Sequence, residues 1–220
     1  MTRVQQTPFI AWPGTAQFRF AIAMMALVAA WFAVVFVGAD WITAHHALRI
    51  RIHLDAELRL PLVPVFLVVY MSIYLLFLAV PFVLRSRREA ASLAIAQFIT
   101  ILIGGIGFLL IPARLAYAPA VNRGKWEPLY RLADAMNLDN NLVPSLHVAM
   151  SIVCIEAFTR HATSSGKIAL RSWGLLIALS TLLTHQHHLL DVVTGYGLAL
   201  LISARRDSVS SAVIADRFRL

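Results

Sequence analysis

Three stretches of this chain run for 20 residues or more without a charged side chain: Phe20–Ala39, Leu60–Leu84 and Ala90–Ala113. Each is bounded on both sides by charge, the first by Arg19 and Asp40. A helix crosses the hydrocarbon core of a bilayer with about 20 mostly apolar residues, all of its backbone groups being satisfied within the segment. Three shorter apolar segments come after them: Pro144–Phe158, crossing only Glu156, then Ser172–Thr184, then His188–Ala204 with Asp191 in its first turn. Together these predict an all-α, polytopic membrane bundle of six transmembrane helices.

Composition agrees. The chain is 60% hydrophobic and 14% charged, with mean hydropathy +0.75, where a soluble domain is roughly half apolar and about a quarter charged. A soluble globule, a disordered tail and a fibrous repeat are excluded. The first apolar run ends in Val37-Gly38-Ala39, which resembles a cleavage site. It is longer than the apolar core of a signal peptide, about 7–15 residues, and is expected to be a retained span. No repeat, Gly/Ser linker or low-complexity segment divides the sequence, so a single domain over 1–220 is expected, with outer loops near 41–59 and 114–143.

The formal charge is +8, with a sequence pI near 10.5. Retention of basic loops on the cytoplasmic side accounts for it without a nucleic-acid partner. With the N-terminus inside, twelve basic and four acidic residues fall on the inner side, a net of +8, against seven of each on the outer side, a net of zero. Arg3, Arg19, Arg85, Arg87, Arg88, Arg160, Lys167, Arg171, Arg205, Arg206, Arg217 and Arg219 make up the inner basic set. Both termini are therefore expected in the cytoplasm. The one cysteine, Cys154, lies in an apolar run, so an internal disulfide and a cysteine metal site are excluded.

Of the two outer loops, Trp41–Arg59 carries a period-two alternation over Arg49–Arg59 that reads as a short strand, a segment on the bilayer surface, or a connector with snorkelling charges. The other, Arg114–Val143, is long and polar, as functional loops often are. Glu156 and Arg160, four apart, are expected to form a structural ion pair. His45, His46, His53 and His161 are given no role.

Two short segments carry chemistry. Pro144-Ser145-Leu146-His147 opens the fourth helix, with proline expected in the first turn. The free N–H groups and positive dipole end there can hold an anion, the Ser145 hydroxyl adds a donor, and His147 supplies an acid/base group. In Thr184-His185-Gln186-His187-His188-Leu189-Leu190-Asp191, His187 and Asp191 are four apart and share a helical face. A carboxylate bonded to one ring nitrogen leaves the lone pair of the other free, the orienting logic of a nucleophilic histidine. Asp191 in an apolar helix is costly and needs a partner, which His187 provides. Both segments fall on the outer side at similar depth.

These residues resemble the second and third signatures of the type-2 phosphatidic acid phosphatase superfamily. With Leu146 in place of the usual glycine and a histidine-rich third motif, they are closest to the inositol phosphorylceramide synthase-like branch. The resemblance covers about Ile111–Gly197 and extends weakly to Leu54-Asp55 and Pro61-Leu62-Val63-Pro64. It implies six helices with an outward-facing site. It further implies that His187 is the nucleophile, that Asp191 orients it, that His147 protonates the leaving oxygen, and that Ser145 and adjoining N–H groups hold phosphate oxygens. The family's first signature, Lys-x6-Arg-Pro, is not present. The matching region runs from Ile111 to Pro119 and offers Arg114 as a phosphate ligand, with Arg123 and Lys125 as later candidates. The arginine of the third signature is likewise replaced, the sequence there reading Ser180-Thr181.

The resulting expectation is a lipid phosphatase in the inner or plasma membrane, its site facing the periplasm or exterior. It would hydrolyse a lipid phosphate monoester or pyrophosphate through a phosphohistidine, without metal or other cofactor. Transfer of a phospho-headgroup to an alcohol is the alternative. A second alternative is a metal or haem protein ligated by His147, His185, His187, His188 and Asp191. The expected partners are a lipid phosphate and membrane lipids, and the sequence sets no oligomeric state.

Overall fold

A computed structural model describes residues 8–118, 123–136 and 140–217. Arg3 and Arg219 of the inner basic set, and Pro119, lie outside the described residues. Eight α-helices occur among those described: α1 (Thr15–Ala44), α2 (Phe66–Met71), α3 (Ile73–Val83), α4 (Arg87–Leu110), α5 (Glu127–Met136), α6 (Leu146–Phe158), α7 (Ser164–Leu183) and α8 (Leu189–Arg217). No strand is formed among them; Ile50 and Ala113 make one isolated parallel bridge. The alternating segment Arg49–Arg59 thus contributes one bridge residue and a short 3-10 turn at Glu57–Arg59 rather than a strand.

Four helical segments are long and apolar enough to cross a membrane: α1, α2 with α3, α4 and α7. The second is interrupted at Ser72, whose hydroxyl donates to Val69 O and accepts from Trp173 Nε1 on α7. A side chain that competes for backbone groups in this way bends a helix. α4 begins with a capping box, in which Ser86 Oγ accepts from Glu89 N while Glu89 Oε2 accepts from Ser86 N. α7 begins eight residues earlier than its uncharged run, capped by Thr163 Oγ1. Lys167 and Arg171 are tolerated in its first turns because long cationic side chains reach outwards from a helix end. Glu156 accepts both Arg171 Nε and Nη2 across the α6–α7 contact, in place of the expected main partnership with Arg160.

α6 is the centre of the bundle. Its thirteen residues are buried except His147 and Glu156, and it packs against α3, α4, α7 and α8. At about 20 Å it is shorter than the roughly 30 Å hydrocarbon core. Val148, Ile152, Val153 and Ile155 form the main hydrophobic cluster with Leu76, Val80 and Ile177. Leu146 and Met150 join a second cluster with Ile101, Phe108 and side chains of α1. α1 itself buries only Gln17, Ala21, Ala39 and Thr43, and leans on α4 through the stacked rings of Trp31 and Phe98.

Candidate active site

The two chemistry-bearing segments meet. Ser145 N donates to Asp191 O at 2.9 Å, tying the start of α6 to the first turn of α8. The approach depends on absent side chains. A Cβ on Gly195 of α8 would lie 2.5 Å from Ser145 O, and one on Gly107 of α4 would lie 2.8 Å from Val143 O. The start of α6 is thus clamped between α4 and α8.

Ser145, not Pro144, is the cap: its Oγ accepts from Val148 N at 3.3 Å, and Pro144 precedes the helix, contrary to the first-turn position expected for it. Ser145 is wholly buried. Of the first N–H groups, which no helix satisfies internally, Ser145's goes to Asp191 and Val148's to the cap.

His187 Nδ1 lies 2.7 Å from Asp191 Oδ2, and both side chains are buried. The carboxylate accepts, so the proton sits on Nδ1 and the Nε2 lone pair is free. His147 Nε2 donates to Tyr70 O at 2.9 Å, and its ring stacks on that of Tyr70 with centroids 3.9 Å apart. His147 and His187 line one end of the same cavity, of about 410 Å³.

The flanking histidines are held by the backbone. His185 adopts a left-handed φ of 57°, and its Nε2 donates to Leu60 O. His188 is fully buried, and its Nε2 accepts from Ala116 N at 3.0 Å. Burial lowers the pKa of each below the usual histidine range, the Leu60 bond partly opposing this at His185, and Asp191 and Glu57 at His188. Among the described residues no three of His, Cys, Asp and Glu converge as metal ligands. One ring nitrogen of each of His147, His185 and His188 is spoken for by main chain.

Two residues without a sequence signal belong to this neighbourhood. Glu57 is buried; its Oε2 accepts from Leu189 N at 2.8 Å, its Oε1 from Leu54 N at 2.9 Å, and Oε1 lies 3.2 Å from His188 Nδ1. It therefore places an anion at the positive end of α8. Tyr117 stacks on both His185 and His188, and its buried hydroxyl has no partner among the described residues. Burial, with the carboxylates of Glu57 and Asp191, pushes its pKa up to about 12. Nothing local marks either residue, because the contacts join segments up to 132 positions apart.

The three candidate cations are placed differently. Arg123 reaches Asp134 Oδ2 at 2.5 Å and lies over the Tyr130 ring, while Asp134 Oδ1 accepts from Gln186 Nε2. Arg123 is thus two contacts from the residue preceding His187. Arg114 is exposed, and exposed Lys125 sits over the Trp126 ring.

Neither a curated protein nor a solved structure matches the chain. A family model described as the PAP2 superfamily matches residues 39–205, which take in all of the clamped segments, both histidines of the cavity and Asp191. With three quarters of its length so matched, the chain belongs to the PAP2 superfamily.

Proposed function

We propose that the protein is a membrane lipid phosphatase that hydrolyses a lipid phosphate monoester or pyrophosphate through a phosphohistidine at His187. The observation that carries this reading is the buried His187–Asp191 pair at the head of a cavity that His147 also lines. His187 Nε2 attacks phosphorus in line, and the bond to the leaving oxygen breaks. His147, carrying a second proton as the imidazolium, gives that oxygen one proton and is left as the neutral ring bonded to the Tyr70 carbonyl. Water then attacks the phosphohistidine, His147 takes a proton back, and inorganic phosphate leaves. The N–H groups of Leu146 and His147, together with Arg123, hold the equatorial oxygens where transition-state charge is spread. Ser145 sets those N–H groups by capping α6; Arg114 and Lys125 serve the outer approach of an anionic headgroup. The scheme calls on no metal or other cofactor.

The same reading places six spans across an inner or plasma membrane, with α6 and α8 completing the four apolar ones. Both termini face the cytoplasm and the site faces outwards. Cysteines introduced near Trp126 should react with an impermeant thiol reagent in intact cells, and cysteines near Arg87 should not. The reverse pattern defeats this topology.

Transfer to an alcohol is the competing outcome, favoured by Leu146 and by the histidine-rich third motif of the inositol phosphorylceramide synthase-like branch. Hydrolysis is preferred because excluding water from a phosphohistidine demands a closed acceptor site. A panel of lipid phosphates and phosphodiesters, with and without alcohol acceptors, decides between them. Free phosphate from monoesters supports the phosphatase. Inert monoesters, with a headgroup moved intact between lipids, overturn it.

A further inference from the structure

The cavity behind His187 is deeper than phosphate chemistry requires. Its lining on α1 runs from Phe36 down to Ala21, which is about 22 Å of helix. On α4 it reaches Ala90, within one turn of the charged start of that helix. One leaflet offers about 15 Å of hydrocarbon, half of the core, so the cavity continues past the midplane. Its lining includes no acidic residue, lysine or arginine, and consists mainly of side chains such as Met24, Met25, Phe32 and Phe77. Water finds few partners along such walls, and an apolar void of this size in a bilayer is filled by hydrocarbon. At about 30 Å³ for a group the size of a water molecule or a methylene, the space holds roughly fourteen. The depth exceeds what about fourteen extended carbons span, so volume sets the limit, with space for one chain and none for a second.

We propose that this cavity takes a single hydrocarbon tail of the substrate, about fourteen carbons long, and thereby measures tail length while holding the phosphate at His187. The inference rests on the phosphatase reading and deepens it. Affinity should rise with each methylene until the tail fills the cavity, and then level off. Any second tail of the lipid stays in the bilayer.

The test uses straight-chain alkyl phosphates of increasing length with the detergent-purified protein, read by turnover and, separately, by retention in native mass spectrometry. Ala94→Phe from α4 and Ala29→Phe from α1 both narrow the shaft; Ala29 is exposed on its helix, so its variant does not disturb the core. Leu75→Phe, on a side chain 59% exposed and outside the cavity lining, is the control. The wild type and the control should level off near fourteen carbons. Ala94→Phe should level off about four carbons sooner, because about 6 Å of shaft lies beyond it, with KM for the longest phosphate raised at least tenfold and that for butyl phosphate changed less than twofold. Alkyl alcohols of the same length should be retained at least tenfold less well. Turnover with a chain-length profile that neither narrowing variant alters overturns the gauge and leaves the phosphatase standing. Absent turnover, with retention that still shortens in both variants, defeats the phosphatase and supports the gauge. Retention independent of length or of the phosphate shows only bulk lipid in the cavity, and overturns the proposal.

Discussion

Replacing Glu57 by glutamine removes one negative charge and changes almost nothing in shape. In the native protein both carboxylate oxygens accept main-chain N–H groups, Oε1 from Leu54 and Oε2 from Leu189 at the start of α8. An amide offers one oxygen and one NH2, so one of those N–H groups then faces another donor. A buried donor left unmade costs about 1–3 kcal/mol, and loss of an anion at a helix N-terminus about 0.3–1 kcal/mol more. Relief of the buried charge's desolvation offsets part of this. A net loss of about 2 kcal/mol results, or about 4–8 °C in Tm for a chain of this size. Thermal unfolding in detergent reads it directly. Asp55→Asn is the matched comparison, since Asp55 lies in the same loop with its side chain 80% exposed and, among the described residues, pairs only with Arg51 at the surface. That variant should leave Tm within about 1 °C, as surface ion pairs contribute little. Glu57→Gln should also lower kcat at temperatures where the protein remains folded, because Leu189 is two residues from both His187 and Asp191. Equal Tm values for the two variants, with full activity in both, would refute the argument.

Asp191→Asn should lower kcat by about 10²–10⁴-fold, the upper figure applying if His187 turns to the wrong tautomer; lipid phosphate turnover checks this, and an unimpaired variant removes the basis for a nucleophilic His187. Tyr117→Phe deletes a buried hydroxyl that has no partner among the described residues. It should leave Tm unchanged or slightly raised in thermal unfolding, because a buried donor left unmade is costly, and a clear fall in Tm would refute this reading of the hydroxyl. Gly195→Ala must move the Ser145 carbonyl and should destabilise by about 1–3 kcal/mol, whereas Gly197→Ala meets open space and should be neutral or stabilising. The pKa of His188 is lowered in the folded state by burial, against the opposing pull of Asp191 and Glu57, with His53 and His187 adding to the lowering. The unfolded chain therefore binds the proton first, and stability present above pH 6.5 should be lost as pH falls below it, with Tm dropping between pH 7 and 5.5. His188→Gln should flatten that drop.

Charge punctuation carries information about spans only where the chain meets lipid. The runs bounded by Arg19, Asp40, Arg59 and Arg85 correspond to α1 and to α2 with α3, helical segments long and apolar enough to cross a membrane with most of their surface uncovered by the rest of the chain. At α7 the same rule clips eight residues, because Lys167 and Arg171 extend outwards from a helix that Thr163 has already started. Within the site, the four-residue spacing of His187 and Asp191 was readable as a contact, but His187 lies in the turn before α8, so the pair is made across the helix start and not on the shared helical face expected of it. Contacts that depend on distant segments were not readable. Glu57 and Asp55 are two positions apart in one polar loop, and only the fold makes one a buried anchor and leaves the other in solvent. Arg114, picked out by its place in the motif region, is exposed, while Arg123 is the cation that the fold links towards His187 through Asp134 and Gln186.

α6 has a consequence for how the protein is made. A helix of thirteen residues, covered on its flanks by α3, α4, α7 and α8, is too short to partition into a bilayer alone and makes almost no contact with lipid once in place. In the six-span arrangement proposed above, its insertion is driven by its neighbours, and two of those, α7 and α8, are synthesised after it. A nascent chain that ends at Phe158 therefore has an unseated α6, with Ser145 lacking the Asp191 carbonyl that receives its N–H. The start of α6 therefore meets the first turn of α8 only after α8 has been made, so Ser145 and the His187–Asp191 pair come together late in synthesis.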